Sequence, residues 1–222
     1  MPRRALRSHP STFGSLAAQT PLALPGARIG LLGGSFNPPH AAHVLISEIA
    51  MRRLDLDCIW WIVTPGNPLK SHGDLSSLPD RMAACRAITR NPRIIPTGFE
   101  QQLPTAYTAV TLAFLHRRYP ATRFVWLMGA DNLASFDRWQ HWRLIAETMP
   151  IAVVDRPGWR HAALARPAGR ALAQSRISED RASTLAMRVA PAWTFLTGPL
   201  SPLSSTALRA AAAAHELAKA PG

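Results

Sequence analysis

Residues 33–43 read GGSFNPPHAAH, and its two histidines, His40 and His43, are the side chains best placed by type and spacing to do chemistry. On a helix that begins near Pro39 they share one face of the first turn, beside N–H groups that no helical carbonyl satisfies. Imidazoles there donate hydrogen bonds to phosphate oxygens and take up charge as negative charge builds on them. That stabilises a transition state with no covalent step on the protein. Gly33 and Gly34 let a phosphate approach the backbone, and the helix N-terminus beyond them adds N–H groups and the positive end of a dipole. A zinc site of the HExxH kind needs histidines four apart with a neighbouring glutamate, which this stretch lacks. The glycines match neither GxGxxG nor GxxxxGK[ST], the signatures of dinucleotide and Walker-type cradles. No Ser-His-Asp or Cys-His constellation stands out.

A scaffold must hold these groups. RIGLLG (28–33), CIWWIVTP (58–65), RIIPTG (93–98), RFVWLMG (123–129), PIAVVD (150–155) and WTFLTG (193–198) read as strands. Their apolar runs are continuous rather than alternating, as in strands covered on both faces. After the first strand, Ala41, Val44, Leu45 and Ile49 fall at i, i+3, i+4 and i+8, which predicts an amphipathic helix. Helices are expected over 77–91 and over 108–120, the latter stopped by Pro120, and two short ones within 131–149. This alternation predicts an α/β fold, a Rossmann-like doubly wound parallel sheet forming a single domain over residues 28–222. In such a sheet the ligand sits at the carboxyl ends of the strands, where the first strand-to-helix turn meets the topological switch point. Residues 156–190, rich in Arg and Ala, carry little periodicity. Residues 1–27 hold no acid and no continuous apolar core, and read as a disordered leader rather than a secretory signal.

GGSFNPPHAAH resembles the GGxFxPxHxGH signature of the nucleotidyltransferase superfamily, and LSSTALR (203–209) is similar to its second signature, ISSTxIR. Within the superfamily, TPGNPLK (64–70), DRMAAC (80–85), YTAVTL (107–112), LMGADNLASFDRW (127–139) and VVDRPGW (153–159) follow the order of the bacterial nicotinate-nucleotide adenylyltransferases. The resemblance spans about residues 28–210. It implies an enzyme of NAD biosynthesis that joins ATP and nicotinate mononucleotide into deamido-NAD and pyrophosphate. Nicotinamide-mononucleotide and phosphopantetheine adenylyltransferases are the alternatives, the latter tending to be shorter and without YTxxTL and GAD…W.

The same resemblance implies catalytic roles on the triphosphate for His40, His43 and Arg209. It assigns ATP to Gly33, Gly34, Ser35, Phe36, Lys70, Ser204, Ser205 and Thr206, and the mononucleotide to Asn37, Tyr107, Thr108, Asp131, Trp139 and Arg156. Trp139 is expected to stack on the pyridine ring. Mg²⁺ is expected to travel with ATP, held by phosphates and water. Ala42 stands where the signature has glycine, which would set a methyl against the nucleotide, and Val110 stands where many members carry Asp.

Adenylyl transfer makes modest demands on side chains. The attacking phosphate monoester is already ionised, so the protein must position it and neutralise the charge that moves onto pyrophosphate. A helix starting near Thr108, with no acid between Gln101 and Arg123, would aim N–H groups at a carboxylate of the guest. Twenty-five Lys+Arg against thirteen Asp+Glu give a formal net charge of +12, which attracts anions. The charge is scattered and has no aromatic-studded basic stripe, which argues against a nucleic-acid-binding protein. Two cysteines without CxxC spacing fit a reduced, cytoplasmic setting. No apolar run reaches the ~20 residues of a membrane span, so no membrane partner is expected.

Overall fold

A computed structural model of the chain describes residues 18–66 and 75–199, together with 201, 203, 205, 206, 208 and 209. Six strands, β1 (Arg28–Gly34), β2 (Cys58–Val63), β3 (Ile94–Thr97), β4 (Arg123–Gly129), β5 (Ile151–Val154) and β6 (Trp193–Leu196), form one parallel sheet in the order β3-β2-β1-β4-β5-β6. The chain lays down β1, β2 and β3 toward one edge, then returns beside β1 and builds β4, β5 and β6 toward the other. The switch point therefore lies between the carboxyl ends of β1 and β4.

Successive strand residues point to opposite faces, so each strand feeds two apolar layers. Trp60 packs in one layer with Leu112, Phe114 and Trp126. Trp61 packs in the other with Ile46, Ile49 and Cys85. This two-sided burial explains the continuous apolar runs. Helices α1 (Ala41–Arg53) and α2 (Leu78–Ile88) cover the second face, and α3 (Thr108–Arg118) covers the first with α5 (Trp142–Thr148). After β4, the expected pair of short helices is α4 (Ala130–Leu133) and α5, with a 3₁₀ turn at Phe136–Arg138 between them. Residues 156–190 fold into two short helices, α6 (Arg160–Ala165) and α7 (Pro167–Ala171), a 3₁₀ turn at Ala173–Ser175 and a nine-residue 3₁₀ helix at Glu179–Met187, whose three-residue repeat does not follow the α-helical period.

Two expectations need correction. The face of α1 turned to the sheet carries Ala42, Ile46, Ile49 and Ala50, whereas Ala41 is exposed and Val44 and Leu45 are only partly buried. The apolar pattern alone was one residue out of phase, because the polar Ser47 is buried too and hydrogen-bonds the Trp61 indole. The disordered reading of the leader fails for residues 18–27. Ala18 is buried in the layer that holds Phe99 and Leu103, Gln19 N–H donates to Gln102 Oε1 at 3.0 Å, and Gly26 N–H donates to the Ala121 carbonyl at 2.7 Å.

Candidate active site

At the switch point the carboxyl ends of the strands open into a cavity of about 750 Å³, within the usual range of about 300–1,000 Å³ for small-molecule sites. Gly33, Gly34, Ser35, Phe36, Asn37, His40 and His43 line it from the β1–α1 turn, Tyr107 and Thr108 from the start of α3, Asp131 and Trp139 from beyond β4, and Arg156 from beyond β5. Ser205, Thr206 and Arg209 close it. The predicted site is thus brought together from stretches far apart in the chain. Lys70 and Ser204 lie outside the described residues.

The turn owes its shape to packing. A Cβ on Gly33 would stand 2.5 Å from Cη2 of Trp126, so this glycine is required by the indole as well as by any ligand. Phe36 turns the chain through a positive φ of 46° and is buried, its ring stacked on Trp61 at 4.9 Å. His40 caps α1 and His43 is the third residue of its first turn, with ring centroids 3.9 Å apart. His40 N–H donates to His43 Nδ1 at 3.2 Å, so a neutral His43 ring carries its proton on Nε2. Burial, and then the charge of Arg156, pull His40 down to about 4. Burial, with His40 and Arg156 adding to it, pulls His43 down to about 3. Both rings are therefore neutral near pH 7. Below them, Ser47 Oγ donates to the His43 carbonyl at 2.9 Å and accepts from Trp61 Nε1 at 2.8 Å, which ties the turn to β2.

Ala42 does not line the main cavity. It is buried beside a small cleft shared with Val154, Asp155 and Arg156. Asp131 is the second residue of α4, whose cap is Gly129, and its Oδ1 lies 3.7 Å from Arg156 Nε. Arg156 also donates from Nη2 to the Leu203 carbonyl at 3.1 Å, and its backbone N–H donates to Asp155. Asp155, buried, pairs with Arg160. Arg209 Nη1 donates to the Asn37 carbonyl at 2.5 Å and Ser205 Oγ to the Pro38 carbonyl at 2.9 Å, which joins the two signature motifs directly.

Tyr107 caps α3, its N–H is held by Thr105 Oγ1 and its carbonyl accepts from Val110 N–H at 2.9 Å, and Thr108 is the first-turn residue of the helix that lines the cavity. Trp139 stands edge-on to Phe136 at 5.4 Å and to Trp126 at 6.4 Å, which fixes its ring as one wall. Sequence reasoning missed several lining groups, among them Thr64, Asn132, Arg138, Gln140 and Glu100. Glu100 is buried, accepts from Thr111 Oγ1 at 2.5 Å, and has its carboxyl pushed up by burial. The acid-free window drawn from Gln101 began one residue too late. Thr111, three residues after Thr108 and buried, was the signal that a polar partner was near. Among the described residues no cluster of three or more His, Cys, Asp or Glu is arranged to hold a metal ion.

Residues 31–211 match the family model for cytidylyltransferase-like proteins. The chain is 59% identical over 181 residues to a probable nicotinate-nucleotide adenylyltransferase of Agrobacterium fabrum, covering 82% of this chain and 97% of that one. It is 58% identical over 183 residues to the probable nicotinate-nucleotide adenylyltransferase of Rhizobium meliloti, again covering 82% and 97%. Among solved structures, the fold superposes on Plasmodium falciparum nicotinic acid mononucleotide adenylyltransferase complexed with NaAD, with a TM-score of 0.63, 18% identity and 83% of each chain covered.

Proposed function

This chain belongs to the cytidylyltransferase-like family, and from that premise we propose that it is a nicotinate-nucleotide adenylyltransferase. It joins ATP and nicotinate mononucleotide into nicotinate adenine dinucleotide and pyrophosphate. The observation that carries this reading is one cavity lined both by groups suited to phosphate, His40, His43, Arg156, Ser205 and Arg209, and by the Trp139 ring and the start of α3.

The chemistry follows from the groups present. An oxygen of the mononucleotide phosphate attacks the α-phosphorus of ATP, a new P–O bond forms, and the bond to the β-phosphate oxygen breaks to release pyrophosphate. The nucleophile is ionised at neutral pH, so no base is needed. His43, neutral with its proton on Nε2, donates to a phosphate oxygen, and His40 does the same beside it. Arg209 clamps the triphosphate by its fork of N–H groups, and Arg156 takes charge near the reacting phosphates. Gly33 to Phe36 and Thr206 complete the ATP side, with Asn37 and Asp131 on the mononucleotide side. Mg²⁺ carried with ATP would supply charge neutralisation on the phosphates, and Asp131, half-exposed beside Arg156, would be a carboxylate to hold it through water. Trp139 stacks on the pyridinium, and the Thr108 N–H at the start of α3 meets its carboxylate.

No helix among the described residues is long and apolar enough to cross a membrane, and with free Cys58 and Cys85 this supports a cytoplasmic site of action. The decisive assay measures pyrophosphate release from ATP with nicotinate mononucleotide, nicotinamide mononucleotide and phosphopantetheine side by side. Release with the first and little with the others is expected. Release only with phosphopantetheine would overturn the substrate assignment.

A further inference from the structure

Arg81 is the most deeply buried arginine among the described residues, 2% exposed, and it has no carboxylate in ion-pair contact there. It does not line the cavity. It lies in the first turn of α2, whose cap Ser77 accepts from Asp80 N–H at 3.2 Å. Its guanidinium is spent on backbone carbonyls instead. Nε donates to Ser76 at 2.8 Å, Nη1 to Ser35 at 2.7 Å and to Thr64 at 2.7 Å, and Nη2 to Pro65 at 3.4 Å. These carbonyls come from three segments: the β1–α1 turn, the exit of β2, and the start of α2. Ser35 and Thr64 themselves line the cavity.

A buried charge with no carboxylate beside it among the described residues is costly, and four hydrogen bonds to backbone carbonyls offset that cost by drawing those carbonyls toward α2. In a trans peptide the C=O and the following N–H point in opposite directions. Tying the Ser35 carbonyl to Arg81 therefore turns the Phe36 N–H away from α2, in a residue already held at positive φ. On the opposite side of the same turn, Arg209 holds the Asn37 carbonyl. The turn is held by its Ser35 and Asn37 carbonyls from two sides, which fixes the direction of the Phe36 N–H, and beneath it lies a buried cation with no carboxylate in ion-pair contact among the described residues.

Resting on the ATP reading of this cavity, we propose that Arg81 is a positioning residue for the triphosphate. It acts through the Ser35 and Thr64 carbonyls and touches no substrate. Lysine at this position keeps the charge and loses the fork, so it cannot hold three segments at once. In the full chain, Arg81→Lys is expected to raise KM for ATP at least tenfold while KM for the mononucleotide stays within twofold. Cys85→Ala, one turn further along the same helix and also buried, serves as a control for general loosening and should move neither KM. A parallel rise of both KM values in Arg81→Lys, or no rise, would overturn the proposal. A second measurement needs no variant. Hydrogen exchange of the wild-type chain with ATP alone is expected to slow over residues 34–37 and 64–66, and the mononucleotide alone should leave these peptides unchanged. Exchange unaffected by ATP overturns the proposal even if the variant fails to fold. A wild type that binds ATP in this way yet releases no pyrophosphate would count against the reaction assigned above and not against Arg81.

Discussion

At the scale of single residues, the two histidines carry most of the expected catalysis. His43 is partly buried, neutral and oriented by the His40 N–H, so it is preorganised as a donor to charge that develops on the phosphates. Removing one such donor typically costs ~3–4 kcal/mol in the transition state. His43→Ala should lower kcat by about two to three orders of magnitude with an unchanged circular dichroism spectrum, and a variant turning over at the wild-type rate would remove the histidine from the mechanism. The pyridine end allows a second residue-scale prediction. The Thr108 N–H at the start of α3 suits a carboxylate, whereas an amide sets its NH₂ against this donor and leaves it unpaired, at about 1–3 kcal/mol. The nicotinate form should be favoured in kcat/KM by roughly ten- to a few-hundredfold, at ~1.4 kcal/mol per decade. Glu100 lies near, but its carboxyl is engaged by Thr111 and burial favours its uncharged form. Equal use of both mononucleotides in one assay would reject this preference.

At the scale of elements, the position of α1 relative to β2 decides where the histidines stand. Ser47, fully buried, bridges the His43 carbonyl and the Trp61 indole, and so couples the first turn of the helix to the strand. Ser47→Ala should destabilise the fold by about 1–3 kcal/mol in urea unfolding, because Trp61 Nε1 is left without its acceptor in the core. Adding Trp61→Phe removes that orphaned donor, so the double variant should lose less than the sum of the singles. Strict additivity would mean that the bridge contributes nothing.

For the molecule as a whole, the two neutral histidines make stability depend on pH. His40 near 4 and His43 near 3 lie below the ordinary value of 6.5, so between these limits the unfolded chain binds more protons than the folded one. Stability then rises with pH: their contribution is fully present above about pH 6.5 and is lost as pH falls toward 4. Glu100 acts in the opposite sense, since its raised value favours the folded state when protonated. The histidine effect is isolated by comparison with His40→Gln/His43→Gln. Between pH 7 and 5 the wild-type Tm should fall more steeply than that of the double variant, and equal slopes would show that the imidazoles are not held neutral by the fold.

Much of this was legible in the chain itself because it is local. Two-faced burial leaves continuous apolar runs, so the strands could be read within a residue or two of where they lie, and their alternation with helices dictates a parallel sheet with its ligand at the switch point. GGSFNPPHAAH places both histidines on one turn by spacing alone. What the sequence could not show are contacts between residues that are remote in it. Arg81 reaches Ser35 across 46 positions and Thr64 across 17, Arg209 reaches Asn37 across 172, and Trp126 fills the space beside Gly33. No periodicity encodes such pairs, since they exist only once sheet order and helix packing bring β1, β2, β4 and α2 together. The buried face of α1 belongs with them. Its apolar pattern was ambiguous by one residue, and only Trp61, waiting on β2 for a hydrogen-bond acceptor, decided that the polar Ser47 should turn inward.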